Sequence, residues 1–178
     1  VLFLDLDRFK LVNDSFGHEV GDALLVNIAE FLKASTRKDD FVARLGGDEF
    51  IVVLRGLKEA KAAAVVADKL VKRISAPWEV GGKLLHVSAS IGISLYPTDG
   101  EDASTLLTRA DAAMYEIKSS GKNFFTFSTQ ELQGQQSRRL QLERHLRWAL
   151  EEGQFQLNFQ PQVNLATYRV DAFEVLLR

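Results

Sequence analysis

Residues 44–50 read Arg-Leu-Gly-Gly-Asp-Glu-Phe and separate two short apolar runs, residues 41–43 and 50–54. Two such runs around Gly-Gly-Asp predict a β-hairpin with a tight turn. Glycine allows a positive φ there, and it lets a ligand approach the backbone without meeting a Cβ atom. Asp48 and Glu49 place two adjacent carboxylates at the tip, and a bound divalent cation would offset their repulsion. The alternative for this turn alone is a solvated acidic turn.

The composition excludes several classes of protein. The 178 residues are 46% hydrophobic, which is enough for one full core with some length left over. A net charge of −2 implies no general affinity for nucleic acid or anionic membranes, so neither is expected as a partner. The absence of cysteine excludes disulfides and thiolate metal sites and fits a cytoplasmic location. No apolar run approaches the ~20 residues of a membrane helix, and the start at Val1, inside an apolar strand, indicates a fragment of a longer protein.

The hydrophobic periodicity predicts an alternation of strands and helices around the hairpin. The pattern predicts strands at residues 1–6, 85–95 and 123–127, and helices at 19–33, 58–75 and 102–119. We therefore expect an α+β fold of the ferredoxin-like kind, a mostly antiparallel sheet with helices covering one side.

Four polar residues before the hairpin are candidates for a site. Asp5 and Asp7 point to one face at the end of the first strand, a favoured position for ligand-binding groups. Asp7 has the alternative role of capping the segment that follows. Asp22 falls in the first turn of a predicted helix, where dipole complementation is the alternative to ligand binding. Asn13 has the alternative role of a turn residue.

If the hairpin pairs beside the first strand, the carboxylates of both converge on one rim of the sheet. Such a cluster suits two divalent ions for phosphoryl or nucleotidyl transfer, because Mg²⁺ takes few protein oxygens and completes its shell with phosphates. Asn13 and Asp22 offer the paired donor and acceptor that a purine requires. Lys118 and Lys122 are placed to balance phosphate charge.

Several short motifs follow one another between residues 1 and 127. They are Asp5-Leu6-Asp7-Arg8-Phe9-Lys10, Asn13-Asp14, Phe16-Gly17-His18, Gly21-Asp22, residues 44–50, Ser90-Ile91-Gly92, residues 110–115 and residues 118–123. Together they resemble the GGDEF family of diguanylate cyclases. The resemblance implies a nucleotidyl-cyclase-like fold for residues 1–128.

The resemblance implies a condensation of two GTP molecules into cyclic di-GMP, with release of two pyrophosphates. Each domain of a homodimer would hold one GTP, and the 3′-hydroxyl of each would attack the α-phosphorus of the other. The implied cofactor is Mg²⁺ or Mn²⁺, with two ions per active site. Cyclic di-GMP would be an inhibitor as well as the product.

The resemblance also implies roles for single residues. Asp5, the Leu6 carbonyl and Asp48 would bind the metals. Glu49 would be a further ligand or would assist deprotonation of the hydroxyl, which makes Asp48 and Glu49 the implied catalytic residues. The implied GTP-binding residues are Asn13 and Asp22 for guanine, Gly46 and Gly47 beside the phosphates, and Phe9, Lys10, Lys118 and Lys122. Lys122 stands where the family often has arginine, so a point charge replaces a planar fork.

Arg37-Lys38-Asp39-Asp40 matches the family's inhibitory Arg-x-x-Asp site, at its usual place before the hairpin. By this resemblance Arg37 and Asp40 would bind the product. The alternative is a solvated charged loop.

The composition changes after Ser128 and predicts a linker at 129–139, followed by a second domain at 140–178. We expect a helix around Leu142 to Leu150 and strands at 155–159 and 169–177. The motifs around Gln160 and Glu174 resemble the opening of an EAL-type cyclic di-GMP phosphodiesterase, with Glu-Val-Leu in place of Glu-Ala-Leu. Glu174 would be one metal ligand of that enzyme. The other ligands would lie beyond Arg178, so this part alone is not expected to hydrolyse cyclic di-GMP.

Two other functions compete with the cyclase. A non-catalytic GTP-binding module would regulate a neighbouring phosphodiesterase, although intact Asp48 and Glu49 favour the enzyme. A nucleic-acid polymerase palm shares the two-carboxylate chemistry, but the pI near 6.0 and the lack of a basic groove oppose it.

Overall fold

A computed structural model describes residues 1–119, 121–129, 146, 148–150, 152–165 and 167–177. The chain divides into two compact units, Val1–Gly134 and Gln135–Arg178. The predicted linker and the first residues of the predicted second domain fall almost entirely outside the described residues, so this boundary stays a prediction.

The first unit alternates strands and helices. Its elements are β1 (Leu2–Asp7), α1 (Phe9–Phe16), α2 (His18–Ser35), β2 (Phe41–Gly46), β3 (Glu49–Val53), α3 (Ala60–Ile74), β4 (Trp78–Val80), β5 (Lys83–Leu85), β6 (Ser88–Ile93), α4 (Ala103–Ser119) and β7 (Phe125–Phe127). Five strands form the main sheet in the order β2-β3-β1-β6-β7, while β4 and β5 form a separate hairpin.

The main sheet is antiparallel except where β6 and β7 run parallel. Strand β1 is central and pairs with β3 on one side and with β6 on the other. The β2–β3 hairpin therefore lies beside the first strand, which meets the condition for the carboxylates to converge, and Asp5 lies directly opposite Glu49. The expected α+β fold, a mostly antiparallel sheet with covering helices, is confirmed.

Helices cover both faces of this sheet, so the expectation of helices on one side is wrong. On one face, Phe3 and Ile51 pack against Ala110 and Met114 of α4. On the other face, Phe50 lies opposite Leu4 and lines a groove with side chains of α2. The physical reason lies in β1, whose six residues are all buried, because a strand with both faces apolar requires cover on both.

Three local predictions differ from the structure. The strand predicted at 85–95 is divided into β5 and β6, and β5 belongs to the hairpin with β4. Residues 9–16 form the helix α1, which the sequence pattern did not predict. Helix α2 begins at His18, so Glu19 is the acidic residue of its first turn and Asp22 lies beyond that turn. Dipole complementation is therefore a weaker explanation for Asp22.

The polar positions of β6 face α4 and not solvent. Ser94 follows β6, is fully buried, and donates a hydrogen bond from Oγ to the Leu106 carbonyl oxygen of α4 at 2.8 Å. At Gly92, an added Cβ atom would lie 1.8 Å from the Ala110 carbonyl oxygen and 2.5 Å from the Met114 backbone nitrogen. The alternation of small polar residues along β6 thus lets the backbone of α4 approach the strand closely.

The described part of the second unit contains an antiparallel hairpin of β8 (Leu157–Asn164) and β9 (Arg169–Leu177). Strands were predicted at both places, but β8 begins later than the predicted strand at 155–159 and continues to Asn164. Residues 146 and 148–150 are helical, whereas the earlier part of the predicted helix lies outside the described residues. Across the described parts of both units, the helices are too short or too polar to cross a membrane.

The close approach at Gly92 predicts a strong effect of a single methyl group. Gly92→Ala places its Cβ against backbone atoms that cannot rotate away, so the free energy of unfolding should fall by about 3 kcal/mol or more. Gly46→Ala is the matched control, because its Cβ would meet nothing within 4 Å. Denaturant unfolding measures both variants, and an equal loss in the two would contradict the packing argument.

Candidate active site

Three carboxylates meet at one rim of the main sheet. Asp5 of β1 and Glu49 of β3 are direct neighbours across the strand pair. Asp48 lies in the adjacent turn, where its carbonyl oxygen accepts a hydrogen bond from the Leu6 backbone nitrogen at 3.2 Å. The predicted convergence of the strand and hairpin carboxylates is confirmed for these three residues.

The turn that carries Asp48 is held by an arginine. Arg44 donates from Nε and Nη2 to the carbonyl oxygen of Gly47 at 2.9 and 2.7 Å. Gly47 has φ 52°, a left-handed conformation that favours glycine. The register of β2 and β3 shifts between Arg44 and Gly46, which leaves Leu45 without a partner residue across the strand pair. The sequence analysis assigned no role to Arg44.

Asp5 is a charged group with little access to water. Asp5 is only 5% exposed. Its Oδ2 lies 2.6 Å from the ammonium nitrogen of Lys118, which is in the last turn of α4. Burial raises the pKa of Asp5 to about 6, the hydrogen bond from Lys118 opposes that rise, and the negative charge of Asp48 adds to it. The rim therefore favours a cation beside Asp5, and Lys118 supplies one.

Asp7 has a different role from Asp5, although both side chains lie on the same face. Its carboxylate accepts hydrogen bonds from Ser88 Oγ at 2.7 Å, from Ser90 Oγ at 2.8 Å and from the Asn123 backbone nitrogen at 3.0 Å. Asp7 is thus occupied in joining β1 to β6 and to the loop after α4. It is not one of the three carboxylates that meet at the rim, and it does not cap α1, which has no side-chain cap.

The predicted base-reading residues lie on the adjacent helices α1 and α2. Asn13 is helical and not a turn residue, and its Oδ1 is buried with no hydrogen-bond partner among the described residues. Phe9 is buried on the same helix, and its ring lies near Gly21 of α2. Asp22 follows Gly21 and is exposed. A buried acceptor without a donor is rare in folded proteins and needs a specific explanation.

The predicted phosphate-binding residues are distributed over four parts of the chain. Gly46 and Gly47 lie at the hairpin, and Lys118 lies at the rim. Lys10 is exposed on α1, and Lys122 lies in the loop after α4 with φ 60°. Within the described residues, no ion pair joins Lys10 or Lys122 to the three rim carboxylates. Of the three predicted lysines, only Lys118 contacts a rim carboxylate in the described part of the chain.

The loop with Arg37 and Asp40 has a defined structure. Asp40 accepts hydrogen bonds from the backbone nitrogens of Arg37 and Arg55, at 2.8 and 2.9 Å. Its carboxylate therefore joins the segment before β2 to the segment after β3. Arg37 is exposed, which leaves its guanidinium accessible to a ligand.

The two residues predicted for a phosphodiesterase site also lie close together. Gln160 of β8 and Glu174 of β9 are direct neighbours across the hairpin. Both are exposed in the structure.

The rim suits a divalent ion whose shell a substrate completes. In the described parts of the chain, no three His, Cys, Asp or Glu side chains form a closed metal site. Mg²⁺ commonly takes only one or two carboxylates and fills its shell with water and phosphate oxygens. Asp5 and Glu49 supply hard oxygen donors, and the cation already paired with Asp5 shows that positive charge is favoured there. The residues present therefore fit Mg²⁺ or Mn²⁺.

Sequence reasoning missed the partners of Asp7. Ser90 and Asn123 belong to two of the motifs that carry the family resemblance, but neither they nor Ser88 were predicted to contact Asp7. Their roles depend on a contact more than 80 residues away along the chain, since the hydrogen bonds to Asp7 span 81, 83 and 116 positions. The available signal was the pair of serines two positions apart, Ser88 and Ser90, at the start of β6.

The hydrogen bonds of Asp7 predict its response to substitution. Asp7→Asn keeps the shape but replaces one accepting oxygen by a donor, so the free energy of unfolding should fall by about 2 kcal/mol. Asp111→Asn on the exposed side of α4 is the matched control and should change it by less than about 0.5 kcal/mol. Thermal unfolding checks both, and an Asp7→Asn protein as stable as the control would refute the structural role.

Comparison with known proteins agrees with this geometry. The family described as diguanylate cyclase, GGDEF domain, matches residues 1–124. Over all of its length the chain is 46% identical to the bifunctional diguanylate cyclase/cyclic di-GMP phosphodiesterase MucR of Pseudomonas aeruginosa, of which it covers 26%. It is 40% identical to the cyclic di-GMP phosphodiesterase NbdA of the same organism and covers 23% of that protein. The chain thus spans about a quarter of the length of these relatives.

A solved structure supports the same conclusion. The crystal structure of the GGDEF domain of YfiN (TpbB) from Pseudomonas aeruginosa matches with a TM-score of 0.70 and 41% identity, over 72% of this chain and 80% of that one. The sheet, its covering helices and the sequence motifs therefore all point to one family, and the chain belongs to the GGDEF family of diguanylate cyclase domains.

Proposed function

We propose that this chain is the catalytic part of a diguanylate cyclase, which condenses two GTP into cyclic di-GMP and releases two pyrophosphates. The observation that carries the proposal is the buried Asp5, which faces Glu49, adjoins Asp48 and is paired with a cation. A glycine turn lies beside these carboxylates and offers a place for phosphates. The similarity to MucR, which is described as bifunctional, supports this activity.

In this proposal Asp5, the Leu6 carbonyl, Asp48 and Glu49 hold two Mg²⁺ or Mn²⁺ ions. The bound ions supply polarisation of the phosphates and neutralise the charge that develops on them. The oxygen of a GTP 3′-hydroxyl forms a bond to the α-phosphorus of the second GTP, and the bond from that phosphorus to the bridging oxygen breaks. Pyrophosphate leaves, and Glu49 is placed to accept the proton of the hydroxyl. In the second step, the remaining 3′-hydroxyl attacks the α-phosphorus of the other nucleotide, which releases the second pyrophosphate and closes the ring.

The remaining site residues position the nucleotide. Asn13 and Asp22 read guanine, with Phe9 beneath them in the base pocket. Gly46 and Gly47 admit the phosphates, and Lys10, Lys118 and Lys122 contact them. Lys118 exchanges its ion pair with Asp5 for a phosphate when substrate and metal arrive, because the dication then neutralises that carboxylate. Each domain holds one GTP, so the reaction requires a homodimer whose two sites face each other.

A second candidate function has its own support. NbdA is described only as a cyclic di-GMP phosphodiesterase, and yet all 178 residues of this chain align with it at 40% identity. Similarity to such proteins therefore does not by itself imply cyclase activity. A domain of this kind can bind GTP and regulate a neighbouring EAL phosphodiesterase without catalysis. In that proposal Gln160 and Glu174, which are neighbours across the β8–β9 hairpin, belong to the EAL domain.

The first test removes one charge from the rim. Asp48→Asn keeps size and shape but removes the charge that a divalent ion needs, so cyclic di-GMP formation should fall by at least about 100-fold. Asp39→Asn, an exposed acid in the preceding loop, is the matched control and should keep the activity. Incubation with GTP and Mg²⁺ followed by chromatography measures the product. A folded wild-type chain that binds GTP but forms no product would favour the regulatory module.

The second test concerns inhibition by the product. Arg37→Ala should raise the yield of cyclic di-GMP at long times and leave the initial rate unchanged, because Arg37 lies in a loop outside the carboxylate rim. Arg37 is substituted instead of Asp40 because the Asp40 carboxylate also accepts hydrogen bonds from two backbone nitrogens, so its loss would disturb the loop as well. Lys38→Ala is the matched control. Initial rates with added cyclic di-GMP decide the question, and equal inhibition of wild type and Arg37→Ala would leave a charged loop with no inhibitory role.

A further inference from the structure

Gly21 is a glycine in an unlikely place. It lies in the second turn of α2, and its φ is not positive, so the backbone there suits any residue. Glycine is the least favourable residue in a helix after proline, so helix propensity alone would favour alanine at this position. A glycine inside a helix therefore needs a packing or functional reason.

The reason lies in the neighbouring helix. A Cβ atom added at Gly21 would lie 1.8 Å from Asn13 Oδ1, 3.0 Å from Asn13 Cγ and 3.2 Å from the Cζ of Phe9. The amide oxygen of Asn13 thus occupies the space that a Cβ would fill. That oxygen is buried and accepts no hydrogen bond from the described residues, so its position depends on contact with the bare Cα of Gly21.

This contact fixes the orientation of the Asn13 amide. With Oδ1 turned inward against Gly21, the NH₂ group is the half that remains for a ligand, and it is a hydrogen-bond donor. Asp22 adds an exposed acceptor on the next residue of α2. A donor beside an acceptor matches the adjacent carbonyl and N–H of guanine, whereas adenine presents an amino group and an unprotonated nitrogen in the reverse order.

We infer that Gly21 is a specificity-determining residue of the nucleotide site, because its missing side chain holds the Asn13 amide in the orientation that selects guanine over adenine. The inference rests on the proposed function, in which Asn13 and Asp22 read the base. Gly21 does not touch the nucleotide itself and acts through Asn13, so it is a positioning residue.

The test compares two nucleotides that bind without reacting. The 3′-deoxy forms of GTP and ATP lack the attacking hydroxyl, and calorimetry on the full chain with Mg²⁺ measures their dissociation constants. Wild type should bind 3′-deoxy-GTP at least about tenfold more tightly than 3′-deoxy-ATP. Gly21→Ala should bring the two constants to within about threefold of each other, mainly by weakening 3′-deoxy-GTP. A purely structural role of Gly21 would weaken both nucleotides alike.

Two further variants control the test. Ala34→Gly weakens the far end of the same helix at an exposed position and should leave the ratio unchanged. Asn13→Ala should lose the preference for 3′-deoxy-GTP, and Gly21→Ala combined with Asn13→Ala should show no further loss, because both changes act on one amide. The double variant also removes the collision, so it should fold even if Gly21→Ala alone does not.

The outcomes separate this inference from the proposed function. A wild type without preference for 3′-deoxy-GTP would overturn the guanine site and this inference with it. A preference that survives in folded Gly21→Ala would overturn the role of Gly21 alone. A double variant that is unfolded while Asn13→Ala is folded would also overturn it, since Gly21 would then be needed for a contact other than Asn13.

Discussion

The site depends on a carboxylate that the fold holds at the end of its most buried strand. Strand β1 is central in the sheet and covered on both faces, so Asp5 is 5% exposed even though it lies at the rim. A buried carboxylate is costly without a partner, and the ammonium group of Lys118 at 2.6 Å supplies one. That pairing requires the C-terminal end of α4 to lie over the end of β1. The position of α4 is therefore part of the site as well as of the core.

The neighbours of a residue, and not its type, decide what the two aspartates of β1 do. Asp5 and Asp7 lie two positions apart on the same face, yet Asp7 accepts three hydrogen bonds from β6 and from the loop before β7. Those bonds satisfy its lone pairs, so little capacity remains for a metal. Asp5 is opposite Glu49 and is paired with Lys118, which in the proposed function gives way to a divalent ion. Strand β1 thus supplies Asp7, whose carboxylate is used in structural hydrogen bonds, and Asp5, whose only ion-pair partner among the described residues is Lys118.

Local patterns explain which features could be predicted from the sequence. The hairpin around residues 44–50 and the acidic rim follow from turn chemistry and strand alternation, which involve neighbours along the chain. The apolar residues on both faces of β1 already indicated cover on both sides of the sheet, but the expected ferredoxin-like fold placed helices on one side only. The roles of Ser90 and Gly21 depend on partners in other elements, and such contacts leave no periodic signal in a single sequence.

Three contacts along α4 connect the packing of the core to the chemistry of the rim. Near the start of the helix, the Leu106 carbonyl accepts the hydrogen bond of Ser94, and one turn later the backbone around Ala110 rests on the bare Cα of Gly92. At the end of the helix, Lys118 reaches Asp5. Because an α-helix is a stiff rod that rises 1.5 Å per residue, fixing its first half fixes the position of its last turn. Small residues on β6 therefore determine where the cation of the site lies, and a methyl group added at Gly92 would displace Lys118 as well as loosen the core.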